Sequence, residues 1–168
     1  MGLSFTRQLL MKQNRGFTAI ELILVIVILG ILAAIAYPRF QGIPGFRVSA
    51  AAQAIAADIR YAQSQAVSTQ FNYKVYFYAG TNSYAVYKKE RSSPFTETIV
   101  SNHPFKAGNY TVVVATDYPG VIIGGDYTVE FNYLGAPITG GGGSVTVSGV
   151  GVAETITVQA NTGRVTIS

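Results

Sequence analysis

The sequence predicts an α+β fold, a long N-terminal helix packed on an antiparallel β-sheet domain, and three observations carry that prediction. From Phe17 to Tyr37 runs a stretch of 21 residues with a single charge, Glu21. From Phe46 to about Thr69 apolar residues recur at alternating spacings of three and four, the repeat of an amphipathic helix. Beyond Gln70 the composition switches to Tyr, Val, Phe, Thr and Gly in short runs broken by turn residues. A helical block followed by a block of strands separates the two structure types along the chain, which argues α+β with the helix covering a sheet face.

Residues 1–16 form a short basic segment with Arg7, Lys12 and Arg15 and no acidic residue. Such a flank reads as a processing segment and is left out of the fold. The run after it, as a helix rising 1.5 Å per residue, would reach about 31 Å, the hydrocarbon thickness of a bilayer. The basic flank places the N-terminus in the cytoplasm and the bulk of the chain across the membrane. Leu32-Ala33-Ala34-Ile35-Ala36 has the small residues of a secretory cleavage site, but the polar flank abuts the apolar run directly at Gly16-Phe17. A carboxylate costs roughly 2.5–3.5 kcal/mol at the bilayer centre and less near an interface, so Glu21 marks a functional position. Gly30 and Pro38 weaken the helix: glycine costs about 1 kcal/mol against alanine, and proline removes a backbone hydrogen bond. Arg39 to Gly45 is rich in helix breakers, and both a kinked continuation and a short linker fit it.

In the second helix Val48, Ala52, Ile55, Ile59, Ala62 and Ala66 make a small-residue stripe suited to close packing on a sheet, with Asp58 and Arg60 expected in solvent. Strands are expected at Phe71–Tyr78, Ser83–Lys89, Thr96–Val100, Tyr110–Ala115, Tyr127–Tyr133, Ser144–Val150, Thr155–Ala160 and Arg164–Ile167. Gly80-Thr81-Asn82 and Asn161-Thr162-Gly163 supply two hairpin turns.

Once the leader and the apolar helix are set aside, about 120 residues remain, enough for one domain. The net charge of +4 invites a polyanion partner. Three of the twelve Lys and Arg lie in the leader, however, leaving nine against eight Asp and Glu, so any polyanion contact must be local. With no cysteine, neither disulfides nor thiolate chemistry enters.

Little in the chain resembles a catalytic or metal centre. His103 is the sole histidine and precedes Pro104 in a loop, without partners at catalytic or zinc spacing. Gly140 to Gly143 is followed by no Gly-Lys-Ser/Thr and reads as a flexible connection. Asp117 and Asp126 flank a loop containing Gly and Pro and read as turn aspartates, with oxygen ligation of calcium as the alternative. Lys88, Lys89 and Arg91, near Tyr84 and Tyr87, are the one concentrated basic patch, with a solvated hairpin tip as its default role.

The basic leader ending in Gly16, Phe17, Glu21 four residues later, the apolar run, Gly30 and Pro38 together resemble the type IV prepilin family, including the pseudopilins of type II secretion. Ala56 to Ala66, Phe131 to Pro137, Thr155 to Val158 and Thr162 to Val165 narrow the resemblance to FimT/GspH-type minor pilins and minor pseudopilins. The resemblance implies cleavage between Gly16 and Phe17 by a prepilin peptidase, methylation of the Phe17 amine, and assembly through Glu21, Gly30 and Pro38. It divides the chain into a leader (1–16), a transmembrane and assembly helix (17–38) and a periplasmic domain (39–168), in a single-pass inner-membrane protein. It implies a structural subunit priming or capping a pilus or pseudopilus, with other pilins and the inner membrane as partners, no cofactor or metal, and no enzymatic activity. The alternative it leaves is a DNA receptor, for which Lys88, Lys89, Arg91 and Arg164 are the candidate contacts. DNA-binding FimT-like proteins carry a C-terminal G-R-x-R pattern, and Gly163-Arg164-Val165-Thr166 departs from it with one arginine.

Overall fold

The computed structural model describes residues 17–40, 44–90, 96–101 and 107–168. Two compact units divide the chain between Gly42 and Ile43. In the first, α1 (Ala19–Phe40) is 22 residues long and remains helical past Pro38. Its apolar side chains stand bare: Leu22, Leu24 and Leu32 are 57–59% exposed. Among the described residues, which for the side chains of α1 end at residue 34, no helix is long and apolar enough to cross a membrane.

The second unit opens with α2 (Pro44–Thr69). Proline in the first turn costs nothing, because the amide it lacks has no partner within the helix. Every residue of the expected stripe, Val48, Ala52, Ile55, Ile59, Ala62 and Ala66, is buried, and Ala51 and Ala56 widen it. The helix stops on Gln70, whose φ of 61° lies in the left-handed region usually reserved for glycine. The Gln70 amide donates to the Val67 carbonyl at 2.9 Å, and the Thr69 hydroxyl donates to Gln65 O at 2.7 Å.

The strands are β1 (Asn72–Tyr78), β2 (Ser83–Lys89), β3 (Glu97–Ile99), β4 (Thr111–Val113), β5 (Ile122–Ile123), β6 (Tyr127–Phe131), β7 (Pro137–Thr139), β8 (Ser144–Gly149), β9 (Val152–Val158) and β10 (Val165–Ile167), with a one-turn helix, α3 (Val114–Asp117), after β4. Among the described residues they form two antiparallel sheets rather than one. The first has the order β3-β2-β1-β6-β7 with β4 also on β2, and the second has the order β10-β9-β8-β5. Helix α2 packs on strands of both sheets, and a single core cluster draws Val75, Phe77 and Phe131 from one and Val147, Ile156 and Val158 from the other.

Two expectations need correction, and a strand, β5, is added to them. The strand expected at Tyr110–Ala115 is cut to Thr111–Val113, because the chain turns into α3 and the Val114 amide bonds Asn82 O instead. Asn82, with φ 48°, also accepts the Ile123 amide and donates to Val121 O, both at 2.8 Å, so the β1–β2 turn holds β5, a strand too short to show in the sequence. The glycines at 140–143 are no flexible connection. They carry the chain from β7 in one sheet to β8 in the other under tight packing: a Cβ at Gly140 would sit 2.0 Å from Thr128 O, and one at Gly143 would sit 2.7 Å from the Tyr127 ring.

Candidate functional site

At the start of α1, the Glu21 amide donates to the Thr18 hydroxyl at 3.3 Å and, with the Leu22 amide, to the Thr18 carbonyl. Thr18 is therefore the N-cap, and Glu21 is the third helical residue, the place of the acidic partner in a capping box. A carboxylate in this turn lies at the positive end of the helix macrodipole. Phe17 precedes the cap and is 80% exposed. The spacing Thr18-x-x-Glu21 carries this signal in the sequence. Gly30 sits mid-helix with nothing within 4 Å of where a Cβ would be. Pro38 lies within α1, and Gly16, Arg91 and His103 lie outside the described residues.

In the domain, the segments 56–66, 131–137 and 162–165 converge on one side chain. Gln63 of α2 donates from Nε2 to Gly135 O at 2.7 Å and to Thr162 O at 3.0 Å, joining the β6–β7 turn of one sheet to the β9–β10 turn of the other. Asn132 shapes the first turn by accepting the Leu134 and Ala136 amides, both at 3.0 Å. Gly163 shapes the second with φ +67°, and a Cβ there would lie 2.6 Å from Gln63 Nε2 and 2.8 Å from the Phe131 ring. One turn earlier, Arg60 donates to Val165 O at 3.0 Å. Arg60 thus stays exposed, as expected, while bonded to the fold, whereas Asp58 is not left to solvent.

Asp58 is half-buried and accepts hydroxyls from Tyr84 at 2.5 Å and Tyr110 at 2.9 Å. Burial first, and then the Asp58 carboxylate, push both tyrosine hydroxyls well above their ordinary range. Burial alone pushes Tyr127 up to about 12, and its hydroxyl donates to Gly140 O at 2.6 Å.

Among the described residues, the candidate nucleic-acid contacts Lys88, Lys89 and Arg164 do not form one patch. Lys88 and Lys89 sit at the open end of the β1–β2 hairpin, away from its tip, and β2 lies inside the sheet between β1 and β3. As neighbours on a strand they point to opposite faces. Lys88 lies 3.7 Å from the centre of the Phe71 ring. Lys89 faces Glu130 at 3.6 Å and Glu97 at 3.8 Å, and Lys74 pairs with Glu97 as well. Glu130 is only 6% exposed and also accepts from Asn72 Nδ2 at 3.1 Å. Arg164 is exposed and belongs to a turn of the other sheet. Asp126 caps the β1–β2 turn by accepting the Ala79 amide at 2.7 Å. Among the described residues no three His, Asp or Glu side chains gather to hold a metal ion.

This capped N-terminus and the apolar helix after it lie in the stretch, residues 11–37, that matches the family model of the prokaryotic N-terminal methylation motif. The chain has a pilin-like α+β fold. It is similar to the minor pseudopilin EpsH from the Type 2 Secretion System of Vibrio cholerae, with 9% identity, a TM-score of 0.53, and coverage of 73% of this chain and 96% of that one. A second EpsH structure matches with 11% identity, a TM-score of 0.53, and coverage of 73% and 94%. The type IV minor pilin FimU of Pseudomonas aeruginosa PAO1 matches with 12% identity, a TM-score of 0.48, and coverage of 71% and 91%.

Proposed function

We infer that this protein is a minor pilin or minor pseudopilin, a structural subunit of a type IV pilus or a type II secretion pseudopilus. The observation that carries the reading is an N-terminal methylation motif over residues 11–37 ahead of a minor-pseudopilin fold. In this reading a prepilin peptidase cuts between Gly16 and Phe17 and the new amine of Phe17 is methylated. The leader is 1–16, residues 17–38 anchor the chain in the inner membrane, and 39–168 lie in the periplasm. The length and apolar character of Phe17–Tyr37 support the span. The bare side chains of α1 support its burial in lipid, and then among the helices of other pilins or pseudopilins.

Glu21 is the ionic partner of a neighbouring subunit's Phe17 amine during assembly. Its place in the first turn of α1 supports this, because the positive end of the macrodipole favours a negative group there, within reach of an amine at the helix start. Gly30 and Pro38 supply local weakness to the helix as it leaves lipid for the filament. A structural role is favoured over DNA reception by the basic residues themselves: Lys89 is paired with carboxylates, and Lys88 and Arg164 are held on different sheets.

The test is Glu21→Ala. Loss of the carboxylate lowers the cost of insertion, so processing and membrane insertion stay intact, while an uncompensated amine at the subunit contact blocks incorporation. Filaments sheared from cells expressing the variant are expected to lack the protein. Wild-type amounts in that fraction would make Glu21 a bystander.

A further inference from the structure

We propose that Tyr78 of β1 and Tyr87 of β2 form an oxidative cross-linking site, at which a one-electron oxidant couples the two rings into a dityrosine that staples the strands together. In β1 Tyr73, Val75 and Phe77 are buried, so Lys74, Tyr76 and Tyr78 point away from the core. The register sets Lys74 opposite Tyr87 and Tyr78 opposite Ser83, so Tyr87 shares that outer face. From the Lys74 row to the Tyr78 row is four residues, about 13 Å along the strands. The hydroxyls of Tyr78 and Tyr87 nevertheless meet at 2.8 Å, so the two rings lean toward each other over the row between. In that row the Tyr76 ring centre lies 4.1 Å from that of Tyr78, and Ala85, opposite Tyr76, is 2% exposed although it is on the outer face.

One-electron oxidation of a phenol removes an electron together with the hydroxyl proton. It leaves an unpaired electron shared between the oxygen and the ring carbons on either side of the one that bears it. The hydrogen bond with Tyr87, ahead of burial, pushes the Tyr78 hydroxyl up to about 12, so at neutral pH it still carries that proton. Two equivalents of oxidant take one electron from each ring, and the two protons pass to water. The radicals join through a carbon–carbon bond between ring carbons adjacent to the hydroxyl-bearing ones, and the hydrogen on each bonding carbon then moves to the oxygen and restores the phenol. The product has lost two hydrogen atoms. With the hydroxyls in contact, each carbon that must bond is only two bonds from the point where the rings meet.

Composition and burial single out this pair. Met1 and Met11 both precede Phe17, and from Phe17 onward the chain has no Cys, Met or Trp. The thiols and thioethers that ordinarily take up oxidation are absent there, which leaves tyrosine as the readiest electron donor. Tyr78 and Tyr87 are half-buried, open enough to meet a small oxidant and held closely enough to stay paired. Tyr84 and Tyr110 also converge, but they are 2% and 0% exposed and give their hydroxyls to Asp58. Tyr76 touches Tyr78 from the same strand and serves as the comparison.

The full chain in detergent micelles, dilute enough that chains do not meet, is oxidised with photogenerated tris(bipyridyl)ruthenium(III), then denatured and digested with trypsin. Cleavage after Lys74 and Lys88 releases residues 75–88, a peptide that holds Tyr76, Tyr78, Tyr84 and Tyr87. The expected product is this peptide with dityrosine fluorescence, lighter by two hydrogen atoms, and without backbone fragment ions between residues 78 and 87. Tyr76→Phe is expected to keep the product, and Tyr78→Phe and Tyr87→Phe each to lose it. Unfolding in urea before oxidation is expected to lower its yield several-fold, because the contact between the hydroxyls is made by the fold. Equal yield in urea would reduce the coupling to chance encounter and overturn the proposal. A product that survives in Tyr87→Phe, dityrosine found only between chains, or no dityrosine at all would equally overturn it.

Discussion

Gly163 is the residue on which the domain's two sheets depend most closely. Its left-handed φ and the Gln63 amide 2.6 Å from the Cβ position leave no room for a side chain. Gly163→Ala is expected to cost about 2–3 kcal/mol, from backbone strain plus displacement of the doubly bonded Gln63 and the Phe131 ring. Thermal melts of the variant should show Tm lowered by roughly 6–10 °C, and a wild-type Tm would mean that the Gln63 junction relaxes freely. Tyr84 and Tyr110 carry a pH signature. Both hydroxyls are held neutral in the fold by burial and by Asp58, whereas in the unfolded chain they ionise near their ordinary value of 10. Above that pH the folded state binds more protons than the unfolded one, so their contribution is fully present below about pH 10 and is lost as pH rises beyond it. Denaturant titrations at pH 8, 10 and 11 should show stability falling across the last two, and Tyr84→Phe, though weaker at pH 8 by about 1–2 kcal/mol, should fall less steeply. Equal slopes would remove the Asp58 pair from the account.

At the scale of elements, two left-handed residues separate backbone strain from side-chain function. Gln70 and Asn82 both have positive φ. The Gln70 side chain only returns to its own helix at Val67, so Gln70→Gly is expected to stabilise by about 0.5–1 kcal/mol. Asn82 holds β5 through Val121 and Ile123, so Asn82→Gly is expected to destabilise by about 1–3 kcal/mol although its backbone gains as much freedom. Chemical denaturation of the pair checks the opposite signs, and equal signs would refute the distinction. The contrast also shows what a sequence can reveal about such a chain. The α2 stripe and β1 are visible as periodicity and composition, because burial on one face imposes a repeat. The division into two sheets is not visible, because it turns on β5 and β7, of two and three residues, and on four glycines whose packing is long-range. The roles of Gln63, Asp58 and Glu130 were hidden for the same reason: a polar residue on a helix or strand reads as solvated until its distant partners are known. Thr18 differs, since its cap is local and its spacing to Glu21 was legible.

For the whole molecule, one motif and one domain account for the proposed role. In that proposed role the methylation motif and the exposed apolar helix serve membrane anchoring and helix contacts with other subunits, while the domain is braced by Gln63, Asp58 and the glycine turn. The central claim is that this chain is matured as a filament subunit. Its most direct test is mass spectrometry of the N-terminal peptide, with the protein taken from filaments of cells that carry an active prepilin peptidase. The account predicts a peptide beginning at Phe17 with a methylated amine. A terminus at Met1, or one near Ala36 that frees the domain from α1, would contradict it.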